Sequence, residues 1–201
     1  MGDLARGFRE ALGRALGSGV SLTAAQAEQL VGHYLLLQRW NRALNLTSVT
    51  EFRKAVVVHY AESLFMAWRL PESVRRVLDW GSGAGFPGIP IAVVRPECFV
   101  WLVEARAKKV AFLKEATRGL TNVRVHWGRA EELGEKFDIV VSRAVNSVAV
   151  AKGARMLAPM FATVTGQHVA AQLAALPGWK SLDVVAVPAR AGRVLVLGEF
   201  G

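Results

Sequence analysis

Residues 76–88 read Arg-Val-Leu-Asp-Trp-Gly-Ser-Gly-Ala-Gly-Phe-Pro-Gly, an apolar strand that passes through one acid into a glycine-rich turn. Alternate glycines let the backbone take positive φ angles and approach a ligand more closely than a Cβ would permit. A helix that follows such a turn directs its free N–H groups at the same ligand. The stretch therefore predicts a strand, loop and helix that bind a nucleotide-like cofactor.

Three interpretations of this turn compete. Residues 83–88 also fit the G-x-G-x-x-G spacing of dinucleotide-binding turns, and a purely structural turn is the third reading. Asp79 discriminates between them, because with Gly81, Gly83 and Gly85 it makes Asp-x-Gly-x-Gly-x-Gly. This string resembles the first motif of class I S-adenosylmethionine methyltransferases. A carboxylate there repels a pyrophosphate but attracts the ammonium and sulfonium of S-adenosylmethionine.

Composition narrows the class of protein. The 201 residues suffice for one α/β domain with a modest extension, and 52% hydrophobic content supports a packed core. A net charge of +9 favours a nucleic-acid partner over a merely solvated basic surface. The single cysteine, Cys98, excludes an intrachain disulfide and a cysteine-based zinc site. The four histidines lack i,i+4 spacing, so we expect no metal site.

No apolar run approaches the ~20 residues that a membrane-spanning helix needs, and the first residues hold no apolar signal core. We therefore expect a cytoplasmic protein with no membrane partner, acting as a monomer.

The first third of the chain is typical of helices. Thr23 and Gln26 have capping-box spacing at the start of a helix that we expect to end near Asn45. A second helix should end before Pro71. Its predicted apolar stripe consists of Val57, Ala61, Leu64 and Trp68. We accordingly predict a helical extension over residues 1–70 and a compact α/β domain over residues 71–201.

From residue 74 onward, short β-branched runs alternate with helical segments, which is typical of a parallel, doubly wound sheet. The predicted strands cover residues 74–80, 99–104, 123–126, 137–142, 160–165, 182–187 and 193–198. Only five residues separate the last two, too few for a crossover helix, so these strands must form an antiparallel hairpin. The pattern predicts a seven-stranded, Rossmann-like class I methyltransferase sheet.

Ligands of open α/β sheets lie beyond the carboxyl ends of the strands. Glu104 ends the second strand about 20 residues after the glycine loop, where it can accept from both ribose hydroxyls or merely complement a helix dipole. Ala130 and Glu131 could make room for adenine and accept from its amino group, or simply begin a helix. Arg143 follows the fourth strand and could pair with the cofactor carboxylate, reach an RNA phosphate or lie free on the surface.

Several longer strings carry a family resemblance. They are residues 40–49 (Trp-Asn-Arg-Ala-Leu-Asn-Leu-Thr-Ser-Val), 81–90, 95–97, 108–113 and 142–144. On these strings the chain resembles the RsmG family, also called GidB, from about residue 21 to the closing hairpin. The resemblance implies methylation of the N7 atom of a guanine in bacterial small-subunit (16S) ribosomal RNA, with S-adenosylmethionine as the methyl donor.

The resemblance also implies roles for individual positions. Those expected to hold the cofactor are Gly81, Phe86, Glu104, Ala105, Arg106, Ala130, Glu131 and Arg143. Three positions depart from the family pattern: Glu62 stands where an aspartate is usual, Trp80 replaces a smaller apolar residue, and Thr165 stands where a lysine is common. The last departure puts RNA contact at that strand end in doubt.

Guanine N7 already carries a free lone pair, so catalysis could consist of alignment and electrostatic stabilisation. We assign no residue as general acid or base, and Arg143 is a positioning candidate only. Two other classes compete: a nicotinamide-dependent oxidoreductase and a non-catalytic RNA-binding or ribosome-assembly factor. The basic residues expected to contact RNA phosphates are Arg39, Arg42, Arg53 and Lys54.

Overall fold

The computed structural model describes residues 2–17, 21–143 and 146–201. Within those residues a seven-stranded sheet carries the fold. Its strands are β1 Arg76–Trp80, β2 Phe99–Glu104, β3 Val123–Trp127, β4 Ile139–Arg143, β5 Met160–Gly166, β6 Trp179–Ala186 and β7 Arg193–Phe200. Ala144 of the predicted family motif lies outside the described residues.

The strand order is β3-β2-β1-β4-β5-β7-β6. The first five strands run parallel, whereas β7 pairs antiparallel with both β5 and β6. This topology confirms the predicted class I sheet with its closing hairpin. The order reverses between β1 and β4, and a crevice therefore opens at the carboxyl ends of these strands.

Helices cover both faces of the sheet. They are α1 Gly2–Leu16, α2 Ala24–Leu44, α3 Phe52–Ala55, α4 Glu62–Arg69, α5 Gly88–Val94, α6 Ala107–Ala116, α7 Ser147–Ala154 and α8 Gln167–Ala174. The predicted capping box of α2 is confirmed, since Thr23 Oγ1 accepts from the Gln26 N–H and Gln26 Oε1 accepts from the Thr23 N–H. The helix ends at Asn45, whose φ of 48° is left-handed.

A π-helical turn, Val56–Ala61, joins α3 to α4. A wide turn of this kind holds one extra residue and rotates everything that follows about the helix axis. The predicted stripe is wrong at its end: Ala61 and Leu64 are buried, but Trp68, one residue before the end of α4, is 37% exposed. His59 in the π-helical turn and Glu62 at the start of α4 are both buried.

Two hydrophobic clusters lie on opposite faces of the sheet, because neighbouring residues of a strand point to opposite sides. Val77 belongs to the cluster that also contains α1, α2, α4 and α5, whereas Leu78 belongs to the cluster beneath α7 and α8. The helices that precede β1 thus pack against the sheet, and the loop after α2 reaches its carboxyl edge. Among the described residues no helix is both long and apolar enough to cross a bilayer.

Candidate active site

The glycine-rich loop between β1 and α5 is fastened to the end of β2. Gly81, Gly83 and Gly85 all have positive φ angles, as their alternation predicts. The N–H groups of Gly81 and Ser82 both donate to the Val103 carbonyl, at 2.9 and 3.0 Å. The loop therefore has a defined shape next to the second strand.

Asp79 lies beneath this loop and is fully buried. Its Oδ2 accepts from the Gly88 N–H at 2.9 Å, at the start of α5, while its Oδ1 has no partner among the described residues. A side chain at Gly88 would overlap Leu102 and the Asp79 carboxylate, so this close approach requires glycine. Burial raises the pKa of Asp79 to about 7, against the lowering effect of the Gly88 N–H.

Glu104 links the glycine loop to the start of α6. Its Oε2 accepts from the Gly83 N–H at 3.0 Å, and its Oε1 accepts from the Arg106 N–H at 2.9 Å. Each oxygen keeps a second lone pair on a side chain that is only 7% exposed. The carboxylate is thereby oriented and can still accept hydroxyl donors from a ligand.

A cavity of about 720 Å³ opens above these groups at the carboxyl edge of the sheet. Nine predicted residues line it: Gly81, Gly83, Phe86, Glu104, Ala105, Arg106, Ala130, Glu131 and Arg143. Two predicted residues, Asp79 and Gly85, do not line the cavity but shape the loop from below. Of the two neighbouring acids, Glu131 faces the cavity, whereas Glu132 accepts from the Arg129 N–H.

Other lining residues were not predicted as site residues. They include Asn45, Leu46, Thr47, Ser48, His59, Trp80, Ser82, Lys109 and Arg129. The segment 45–48 belongs to the string of residues 40–49 that carries the family resemblance, so the sequence did hold a signal for its place in the site. His59 likewise belongs to a family string, residues 59–63, but was not predicted as a site residue; it lies in the π-helical turn.

Arg143 is not a free surface arginine. Its side chain is 9% exposed and its guanidinium donates to the Val58 carbonyl at 2.6 Å, to Glu62 Oε2 at 3.1 Å and to His59 Nδ1 at 2.7 Å. The same guanidinium lies 5.1 Å from the centre of the Phe86 ring. These contacts hold Arg143 as a rigid wall of the cavity.

The hydrogen bonds of His59 fix its tautomer. An arginine has only donors, so Nδ1 must accept from Arg143, and Nε2–H then donates to Thr47 Oγ1 at 2.8 Å. Burial, assisted by the Arg143 charge, lowers the pKa of His59 to about 3. The imidazole is therefore neutral at physiological pH and joins the 45–48 segment to Arg143.

The four basic residues predicted to contact RNA are all exposed. Arg39 and Arg42 lie on the last turns of α2, and Arg53 and Lys54 lie on α3, so both pairs flank the 45–48 segment that lines the cavity. Their contact with RNA stays a prediction.

The cavity suits an adenosine-based, cationic ligand. Its volume is in the usual range for cofactor sites, roughly 300–1,000 Å³. Glu104 offers acceptors for ribose hydroxyls, and Ala130 leaves flat space next to the Glu131 carboxylate. The two acids also favour a positively charged ligand.

The sheet order, the reversed last strand and this cavity define the chain as a class I methyltransferase that uses S-adenosylmethionine. Solved structures share the fold: a methyltransferase that depends on this cofactor, from Aquifex aeolicus, superposes with a TM-score of 0.55 at 16% identity, over 73% of this chain and 93% of its own. The magnesium protoporphyrin IX methyltransferase of Synechocystis gives 0.58 at 14% identity, over 84% and 97%.

Sequence comparison then places the chain within that class. Residues 26–172 match the model of the GidB family, the rRNA small subunit methyltransferase G, and the chain belongs to this family. Curated relatives of that name from Ralstonia nicotianae and Xanthomonas campestris pv. campestris are 36% and 40% identical. The first match covers 89% of this chain and 87% of the relative, and the second covers 82% and 81%.

Proposed function

We propose that this protein transfers a methyl group from S-adenosylmethionine to N7 of a guanine in small-subunit ribosomal RNA. Family membership supports the class of substrate, and the arrangement around Arg143 and His59 supports the atom that is methylated. Bound S-adenosylmethionine supplies an electrophilic methyl on a cationic sulfur. The competing oxidoreductase reading finds no support in a family of this name.

The arrangement around Arg143 and His59 is the observation that carries the choice of N7. Both side-chain nitrogens of His59 are engaged in hydrogen bonds, and its low pKa keeps it neutral. At this end of the cavity the described residues thus offer no free general base. Guanine N7 needs none, because its lone pair is available in the neutral base, whereas an exocyclic amine would have to lose a proton.

The chain's own groups would act by positioning. We assign the ribose to Glu104, and the adenine to Ala130 and Glu131. Gly81, Gly83 and Phe86 shape the floor of the site, while Arg143 and the 45–48 segment enclose the entrance for the base. The cavity would hold the methyl donor and the accepting nitrogen in line. This alignment is the source of the rate enhancement.

We also propose that the protein acts as a monomer, that residues 1–70 serve as a helical extension of the catalytic domain, and that the protein works in the cytoplasm. Gel filtration with light scattering during turnover tests the first of these inferences: activity confined to a dimer fraction would contradict it.

Methyl transfer from labelled S-adenosylmethionine tests the proposed reaction directly. Purified small-subunit particles and protein-free small-subunit RNA should be offered side by side, and the labelled position mapped by borohydride and aniline cleavage, which cuts at N7-methylguanine. We expect one labelled guanine in at least one of the two substrates.

The matched control is the same RNA with 7-deazaguanine at the mapped position, since that base lacks the accepting nitrogen and should stay unlabelled. Label on a protein, on a different base atom or on neither RNA would overturn the proposal. A separate thermal shift measurement checks the cofactor: S-adenosylhomocysteine should raise the melting temperature and NADH should not.

A further inference from the structure

A buried carboxylate and three arginines form a cluster beside the acceptor end of the cavity. Glu62 is 1% exposed, and its Oε2 lies 3.1 Å from an Arg143 nitrogen. Its Oε1 lies 2.9 Å from Arg190 and 3.4 Å from Arg193. We call Glu62, Arg143, Arg190 and Arg193 the Glu62 cluster.

The charges of the Glu62 cluster do not balance. One carboxylate faces three guanidinium groups, and the adjoining His59 is neutral because its Nδ1 accepts from Arg143. The Nε–H of Arg143 has no hydrogen-bond partner among the described residues, and the Nε–H of Arg193 makes only a 3.4 Å ion-pair contact with Glu62 Oε1. Like charges gathered at a site of reduced dielectric repel one another, so the cluster favours an added anion.

Burial lowers the pKa of Arg143, and the neighbouring Arg193 charge lowers it further, while Glu62 raises it. Arginines held in this way provide planar, oriented donors, which suit the oxygen atoms of a phosphate.

The cluster lies on the side of the cavity away from the residues that we assign to the cofactor. Arg190 lies in the turn between β6 and β7, and Arg193 begins β7 and pairs with Gly166 at the carboxyl end of β5. The cofactor groups lie instead at the ends of β1, β2 and β3. Arg190 is 43% exposed and Arg193 is 25% exposed, so a ligand can reach both.

Two departures from the family pattern meet at this place. Thr165 replaces a strand-end lysine and is buried, but Arg193 stands one position further along the same edge and supplies a cation there. Glu62 is one methylene longer than the usual aspartate, and its two oxygens contact Arg143 on one side and the turn on the other.

We propose that Arg190 and Arg193, held by Glu62, form a subsite for a backbone phosphate of the RNA acceptor, next to the nucleotide that enters the cavity. The proposal rests on the proposed function insofar as the acceptor is RNA. It adds a named phosphate contact on the closing hairpin, which compensates for the missing lysine at Thr165.

The test is RNA binding by the full-length protein at several salt concentrations, with the variant Arg190→Gln. Each phosphate contact that is lost should reduce the slope of log affinity against log salt by about one. We expect a slope reduced by about one and an affinity about 5- to 10-fold weaker at low salt, because one phosphate contact is removed. The dissociation constant for S-adenosylmethionine should stay within about twofold, since Arg190 does not line the cofactor cavity.

Two further variants make the result specific. Arg190→Lys should keep most of the salt slope, because it keeps the charge. Arg118→Gln removes the same charge from the opposite edge of the sheet, beyond the end of α6, and should leave RNA binding unchanged. Melting temperatures of all variants show whether each one folds; Arg190 is exposed enough for its loss to be tolerated.

An unchanged salt slope in Arg190→Gln would overturn the proposal. So would a loss of S-adenosylmethionine affinity as large as the loss of RNA affinity, because the anion would then be the cofactor carboxylate. This binding experiment needs no methyl transfer. If no methyl transfer to RNA is found but Arg190→Gln still has the reduced salt slope, the proposed function is refuted and the phosphate subsite is supported.

Discussion

Asp79 shows how one side chain can serve a site without facing it. The sequence placed this carboxylate next to the cofactor, whereas in the structure it lies under the loop and accepts from Gly88 at the start of α5. One of its oxygens has no partner among the described residues, and its pKa is raised to about 7 by burial. A carboxylate in that state is costly to ionise, so its effect on stability should depend on pH.

The variant Asp79→Asn tests this dependence. The folded pKa lies above the value of 3.8 that applies when the group is not perturbed, so Asp79 contributes stability at low pH that is lost as the pH rises through 7. The asparagine does not titrate. Urea unfolding should therefore show the variant gaining on the wild type by about 1–3 kcal/mol between pH 5 and pH 8. Titration of all other groups cancels in this difference.

The control is Asp183→Asn, an exposed carboxylate on β6. Its stability difference from the wild type should be nearly constant over the same pH range. If Asp79→Asn also showed a constant difference, the buried carboxyl would not titrate as its environment indicates.

His33 and Tyr60 hold the glycine loop from the side of the helical extension. His33 Nε2–H donates to the Ala84 carbonyl at 3.0 Å, and the Tyr60 hydroxyl donates to His33 Nδ1 at 2.8 Å. Burial lowers the pKa of His33 to about 4, so the ring stays neutral and the directions of both bonds are fixed. A residue of α2 thus sets the position of a carbonyl in the cofactor loop.

Removing one hydroxyl tests this contact. Tyr60→Phe leaves a buried imidazole nitrogen without its donor, and we expect a loss of about 1–3 kcal/mol in unfolding free energy. The KM for S-adenosylmethionine should rise several-fold while kcat changes less, because the loop that shapes the floor of the site loses its support. Tyr34→Phe is the control: its hydroxyl bonds to the Thr50 carbonyl, away from the loop. Equal KM values in both variants would contradict the role of Tyr60.

At the scale of elements, the end of β1 packs closely against α7. Trp80 lines the cavity, and the far edge of its indole lies where a side chain at Gly153 of α7 would have to be. Gly153 lies in the last turn of α7, where glycine costs less than the roughly 0.5–1 kcal/mol, relative to alanine, of a helix interior. The close approach of the indole explains why glycine stands there.

A double-mutant cycle measures this dependence. Gly153→Ala should be neutral or destabilising in the wild type, because its Cβ would lie 2.7 Å from Trp80 Cη2. In a Trp80→Leu background the same change should be neutral or stabilise the protein by up to about 0.5 kcal/mol, because Gly153 lies in the last turn of α7. The coupling should be about 1 kcal/mol or more in denaturant unfolding. Additive effects would show that Trp80 and Gly153 do not depend on each other.

At the scale of the whole molecule, positive charge is distributed to both sides of the cavity entrance. Residues 39–54 present exposed basic groups on α2 and α3, and the closing hairpin presents Arg190 from the other side. Part of the net charge of +9 is thus concentrated around the entrance of the cavity. RNA that spans the entrance would contact both.

Charge reversal at the three arginines Arg39, Arg42 and Arg53 tests the first of these surfaces. We expect RNA affinity to fall by at least tenfold at low salt and the salt slope to decrease by about two to three, with unchanged affinity for S-adenosylmethionine. Reversal of Arg69 at the end of α4 and of Arg118 just after α6, both of which precede the amino end of the next strand and not the carboxyl edge, should have little effect. A salt slope that equals that of the wild type would exclude residues 39–54 from the RNA surface.

Local patterns in the sequence determined much of this molecule. The glycine loop, the alternation of strands and helices with its closing hairpin, the capping box of α2 and six of the nine lining residues follow from spacing and strand ends, because these depend on backbone rules that act within a few residues. The other three, Phe86, Ala105 and Arg106, followed from the family resemblance. Family membership followed from strings of the same kind, and comparison confirmed it.

Only the tertiary structure decided which charges meet. Glu62 lies 81 residues before Arg143 and 128 residues before Arg190 in the chain. No local pattern in the sequence encodes contacts over such separations. The π-helical turn that aims His59 inward, and the burial that turns Asp79 away from the cavity, likewise depend on packing between distant elements. Burial and dielectric are properties of the assembled core, and they decide whether a carboxylate binds a ligand, supports a loop or organises arginines.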